Sequence, residues 1–188
     1  MSTPKYYNPE FDGLVKAIGR VASMYSDVEF ALSETLWLLM NVERKIGACL
    51  TAQMIGPGPR FRALMSLLAL RDAPPELLKA TRELKDQVSS IAAKRNRVVH
   101  DPWGRNPDGD FHRIHLTADH KLDFSFKTET IADLDKLYDD IVQVRRGLSR
   151  YRLLLERLLP QWPRRQFDES PGIRTYLMDA EANGDSED

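Results

Sequence analysis

The sequence predicts an all-α fold, an antiparallel four-helix-type bundle with a short inserted β-hairpin, and three observations predict it. Two long segments space their apolar residues alternately by three and four. A third segment does the same between two proline-bearing breaks. One stretch alone, residues 111–127, switches to a period of two.

The first helix spans about residues 12–42. Its seam is Leu14, Ile18, Val21, Tyr25, Val28, Leu32, Thr35, Leu39 and Val42, the stripe of an amphipathic helix packed on one face. The second half is apolar off the seam too, at Phe30, Ala31, Leu36, Trp37 and Leu38, so it should meet two neighbours. Gly56-Pro57-Gly58-Pro59 reads as a loop. A short second helix follows, with Phe61, Leu64, Leu67 and Leu68 facing inward, until Asp72-Ala73-Pro74-Pro75 stops it. The third helix opens at Pro75 or Glu76, because the N–H that proline lacks has no helical acceptor in a first turn. It runs through Leu77, Leu84, Val88, Ile91, Arg95 and Val98. Asp101-Pro102 ends it, since a residue before proline is pushed out of the helical region.

Residues 104–110 are polar and glycine-rich and read as a loop. In the hairpin that follows, Ile114 and Leu116 alternate with polar residues, as do Leu122, Phe124 and Phe126, around a turn near Asp119. The fourth helix carries Leu134, Leu137, Ile141, Val144, Leu148, Tyr151, Leu155 and Leu158, and Pro160 and Pro163 end it. The chain thus divides into an N-terminal arm (1–11), a helical domain with its hairpin (12–165) and a C-terminal extension (166–188). The last of these closes on Asp179, Glu181, Asp185, Glu187 and Asp188 without a Lys or Arg after Met178, and reads as a disordered acidic tail.

With 188 residues, 42% hydrophobic and 29% charged, the composition is that of one soluble globular domain. No apolar run approaches the ~20 residues that cross a bilayer, and the first residues lack the apolar core of a secretory signal. The single Cys49 excludes an intrachain disulfide and fits a reducing compartment, so a cytoplasmic protein with no membrane contact is expected. A net charge of -1 withdraws the global basic field that drives non-specific nucleic-acid binding. Local basic runs remain, as in the Arg-rich stretch from Arg145 and Arg146 through Arg165.

One residue of the third helix breaks its own pattern. At ~100° per residue, Leu84, Val88, Ile91, Val98 and Val99 fall within roughly 40–60° of Arg95. Arg95 therefore occupies the middle of an apolar stripe. A guanidinium stays charged at ordinary pH and is rarely buried without a partner. Either the stripe opens into a cleft, or an acid from elsewhere meets Arg95, or the stem packs on apolar neighbours while the head reaches water. His100 sits ~140° round the helix from Arg95, whereas Asn96 shares the face of His100. Only the helix end, or a second chain, would bring Arg and His together.

Arg95-Asn96-x-x-x-His100 near the end of a helix in a four-helix bundle resembles the HEPN superfamily, whose pattern is R-x(4–6)-H, commonly with a polar residue after the Arg. The resemblance covers roughly residues 12–160, with specificity confined to the six-residue motif. It implies a metal-independent endoribonuclease, often a toxin or antiviral effector, that acts as a homodimer with motifs from two subunits in one site. It needs no cofactor and no metal, and a cognate antitoxin or inhibitor protein is an implied partner. Cleavage without a metal uses the 2′-OH of the RNA as nucleophile. A group titrating near neutrality must move protons and a fixed cation must meet charge on the phosphoryl oxygens. By resemblance, His100 transfers protons, Arg95 holds the phosphate and Asn96 orients the His or the substrate. Lys94, Arg97 and Arg105 are candidates for flanking phosphates, and Trp103 for the wall of a pocket. A family variant adenylylated on a Tyr two residues after the His is not matched, because that position is Pro102. The alternative reading is a non-catalytic helical dimer serving as a binding or scaffold module.

Other constellations are weaker. His112, His115 and His120 with His100 suggest a metal site, yet residues three apart on a strand face opposite ways and no recognised ligand spacing completes the set. The Gly-Pro repeat lacks the Gly-Lys-Ser/Thr of a phosphate loop. Glu29 is a candidate acid for Arg95, or a surface charge.

Overall fold

The computed structural model describes residues 9–119 and 121–161. Most of them are helical, and the rest centre on a small three-stranded antiparallel sheet. The arm before residue 9, the acidic tail, His120 and Pro163 lie outside the described residues. No helix among those described is long and apolar enough to cross a membrane.

Helix α1 (Asp12–Met40) buries the expected seam. Leu14, Val21, Tyr25, Val28, Leu32 and Leu39 are all at most 2% exposed, while Ile18 and Val42 sit at the edge of the core. Asn41 ends α1 in the left-handed conformation (φ 54°), with its N–H on the carbonyl of Leu38. A helix that periodicity does not announce follows, α2 (Arg44–Thr51). It has no core-facing stripe, since Ile46 and Leu50 are about half exposed and only Gly47 and Thr51 are buried. It is instead held from its own polar side, by Trp37 of α1 and by Arg44, which pairs with Glu34 at 2.8 Å and lies over the Phe30 ring. Gly47 lies flat on the Trp37 ring, where a Cβ would collide, and Trp37 Nε1 donates to Thr51 Oγ1 at 3.1 Å.

The Gly-Pro repeat is only half a loop. Gly56 takes φ +72°, and Pro57 already stands in the first turn of α3 (Pro57–Leu70). Both prolines fall where a helix has N–H groups to spare, so the turn tolerates them. Helix α4 (Pro75–His100) begins and ends as the sequence predicts, with Asp101 extended ahead of Pro102. The polar segment after it contains a further strand. β1 (Trp103–Arg105) pairs antiparallel with β2 (Phe111–Asp119), which pairs with β3 (Lys121–Thr128). Asn106 closes the β1–β2 loop through its side chain, which accepts from the Asp110 N–H at 2.7 Å, and Gly109 takes φ +93°. Three residues are too few to show a period of two, which is why β1 does not stand out in the sequence. Helix α5 (Ile131–Leu158) opens on a reciprocal cap between Thr130 and Asp133.

The unforeseen α2 changes the direction of the last helix. Lys94 meets Asp140 and Thr81 meets Tyr151, so α4 and α5 run antiparallel. Gly13 lies beside Ile131, Arg20 pairs with Asp135, and Glu34 with Arg152, so α1 and α5 run parallel. An up-and-down bundle of four would place its first and last helices antiparallel. Here five helices reverse the chain an extra time. The Thr81 and Tyr151 hydroxyls, 2.6 Å apart in the core, lock α4 to α5.

The sheet is fastened to the helices by a buried cation. Arg113 of β2 is 8% exposed. Its Nη1 donates to Asp101 at 2.6 Å, and its Nε and Nη2 donate to the two oxygens of Glu129 at 3.1 and 2.6 Å. Asp101 lies at the end of α4 and Glu129 just before α5, so one guanidinium joins both flanks of the insertion. Removing it strands two carboxylates. Arg113→Ala should therefore lower stability by about 3 kcal/mol, a drop of roughly 6–12 °C in melting temperature, measurable by calorimetry.

Candidate functional site

Arg95 projects from α4 onto α1. Its guanidinium carbon lies 5.2 Å from the centroid of the Tyr25 ring, a cation–π contact, and Nη1 donates to Asn96 Oδ1 at 3.0 Å. The residue is half-buried. It does not take Glu29, whose carboxylate lies 3.7 Å from Arg60 Nη1 instead. Among the described residues no carboxylate lies within ion-pair distance of Arg95, whereas the deeply set Arg60 and Arg113 each have one or more.

Two buried side-chain polar atoms have no hydrogen-bond partner among the described residues, Tyr25 Oη and Arg95 Nε. They belong to side chains stacked on each other. Burial pushes the Tyr25 phenol up to about 12, the Glu29 carboxylate adds to the rise, and the Arg95 and Arg60 guanidiniums oppose it. Arg60 anchors this corner of α3, donating to Ser33 Oγ (3.2 Å) and to the Gly56 carbonyl (2.9 Å). Tyr25 and Arg60 escape a sequence search because a tyrosine on a helical seam reads as core, and an arginine after a loop reads as surface.

The remaining motif residues diverge. His100, the last residue of α4, is exposed, and no hydrogen bond or ion pair joins it to Arg95. Asn96 is exposed beside it on the helix, its amide oxygen taken by Arg95. Lys94 and Arg97 lie on the other side of α4, where they line a cleft of about 420 Å³ against α5 with Arg113, Glu129 and Lys136. Lys94 faces Asp140 at 4.0 Å and Arg97 faces Asp101 at 3.6 Å. Arg105 is engaged by Glu10 (2.7 Å) and by the Gly109 carbonyl. Trp103 packs against the core and donates from Nε1 to the Val98 carbonyl at 2.9 Å. Its indole thus caps the last turn of α4 rather than walling an open pocket.

Sequence reading also passes over the acid at the helix end. Asp101 accepts from Arg113, approaches Arg97, and lies 3.7 Å from His115 Nδ1. An Asp before a Pro reads as a helix stop, which hides its second role as a hub. His112 leans its ring on Phe126 instead of joining His115. Among the described residues no three His, Cys, Asp or Glu side chains converge as metal ligands.

The site can therefore offer a guanidinium presented on an aromatic face, short of an anion, with an exposed imidazole at the end of the same helix. Its electrostatics have a measurable signature. The folded phenol of Tyr25 ionises above the unfolded value near 10, so its stabilising effect is complete below pH 10 and is lost as pH rises towards 12. Over that window stability should fall by about 2–3 kcal/mol on this account. Tyr25→Phe, which keeps the ring under Arg95, should flatten the alkaline loss in a denaturant titration at stepped pH. No protein-family model, curated protein or solved structure matches this chain.

Proposed function

We propose that this chain is a HEPN-like, metal-independent endoribonuclease, built on a HEPN-type helical bundle and working as a homodimer. The observation that supports it most is Arg95, a cation seated in an apolar stripe on Tyr25 with a buried N–H that, among the described residues, has no acceptor and no carboxylate beside it. A phosphate diester supplies the missing anion. In this reading Arg95 binds the scissile phosphate and stabilises its developing charge. His100 takes the 2′-OH proton and returns one to the leaving 5′-oxygen. Asn96 keeps the guanidinium oriented. Because no hydrogen bond or ion pair joins Arg95 to His100 within one chain, the Arg95 of one protomer works with the His100 of its partner.

A second reading, a non-catalytic helical module, is favoured because no hydrogen bond or ion pair among the described residues holds the His100 ring. The two separate cleanly. In the enzymatic reading the purified protein cleaves RNA in EDTA, leaving 2′,3′-cyclic phosphate and 5′-OH ends. His100→Ala then lowers the cleavage rate at least about a hundredfold. Its melting temperature stays within a few degrees of the parent, since the side chain is exposed. Loss of cleavage in EDTA, or full activity in His100→Ala, removes the proposal.

A further inference from the structure

The hairpin wears its two faces the wrong way round. Register places Arg113 opposite Lys127 and His115 opposite Ser125 on one face, and Ile114 opposite Phe126 and Leu116 opposite Phe124 on the other. The polar face turns inward at its base, where Arg113 is buried on Asp101 and Glu129. The apolar face turns outward. Leu116, Leu122, Phe124 and Phe126 are 56, 68, 55 and 60% exposed. Phe126 is the centre of this patch, meeting Phe124 and His112 edge to face at 5.3 and 5.2 Å.

We propose that this face is the homodimer interface, packed on the same face of a second copy of the chain. Three features favour that occupant. The four side chains carry no charge, and the cations that would meet a phosphate, Arg113 and Lys127, belong to the opposite face. The patch is small and self-similar, two leucines around an aromatic pair, so a two-fold axis sets like on like. Its size also suits a pair of hairpins. Roughly 100 Å² is exposed on each of the four side chains, about 400 Å² in all and within the range of functional patches. Two copies would thus hide about 800 Å² before the flanking Ile114 and His112 are counted, approaching the ~1,000 Å² of a specific interface.

This inference deepens the dimer of the ribonuclease reading by giving its surface, and adds a geometric reason for a shared site. β1 begins three residues after His100, so an interface on this sheet lies close along the chain to the motif of each copy.

The full-length chain and the double variant Phe124→Ser/Phe126→Ser are compared by sedimentation velocity up to about 100 µM. The expected result is a wild-type dimer and a variant whose dissociation constant rises at least about a hundredfold. Circular dichroism and melting temperature check that the variant folds, and Leu116→Asp, on the neighbouring strand, should give the same shift. A monomeric wild type overturns the proposal, and flotation of that monomer with anionic vesicles would assign the face to lipid. A wild-type dimer that folded variants leave intact overturns it equally, because the dimer would then lie elsewhere. Cleavage of RNA is read separately in the same samples. Dimerisation through this face without cleavage sinks the enzyme and keeps the interface; cleavage by a variant-resistant dimer does the reverse.

Discussion

Arg113 sits where the insertion could otherwise swing free of the bundle. The three-stranded sheet lies between two long helices, touches the core through Trp103 and Phe111, and is joined to the helices by short connections at Asp101 and Glu129. One planar guanidinium reaches both. Its fork geometry suits this better than a lysine would, since Glu129 is gripped through two nitrogens while a third remains for Asp101. The hydrogen bonds that Arg113 donates to Glu129 hold the cation still more firmly protonated than a free arginine. The same contact decides which face of the hairpin looks inward. Once the Arg113 side is committed to the acids, the strand's alternation sends Leu116, Phe124 and Phe126 outward.

The second arginine shows the opposite condition. Among the described residues Arg95 has an aromatic surface and an amide oxygen but no acid, and its buried Nε goes unmatched. A cation–π contact is worth about 0.5–2 kcal/mol, comparable with the ~1–3 kcal/mol lost by a buried donor without an acceptor. Stability alone therefore gives little reason to place an arginine there. A leucine would continue the stripe without penalty.

How much of this was legible in the residues depended on length and redundancy. The long helices announce themselves because six or more seam positions repeat the helical spacing, and one exception cannot hide it. α2 lacks that redundancy, being eight residues with two buried positions, seated on an indole and an ion pair that leave no periodic signal. The parallel run of α1 and α5 follows from α2, so it was missed for the same reason. Arg95 was legible as a misfit in its stripe. Its partner was not, because the choice among Glu29, Tyr25 and solvent turns on how α1 and α4 are rotated. Arg113 was hidden by an alternation that assumes the apolar face of a hairpin points inward.

The direction of α5 also determines what surrounds the end of α4. Since α1 and α5 run side by side in one sense, both begin at the sheet and both finish away from it; Phe11 stacks on Phe111 at 5.4 Å, and Glu10 reaches Arg105. A helix of 28 residues carries the chain ~42 Å. The start of α1 and the end of α5 are thus unequal neighbours of His100. A probe on the first turn of α1 reports on the sheet and the α4 terminus at close range, while one on the last turn of α5 stands a full helix length from them. The molecule has a crowded pole and a distant one, and an attachment point chooses between them.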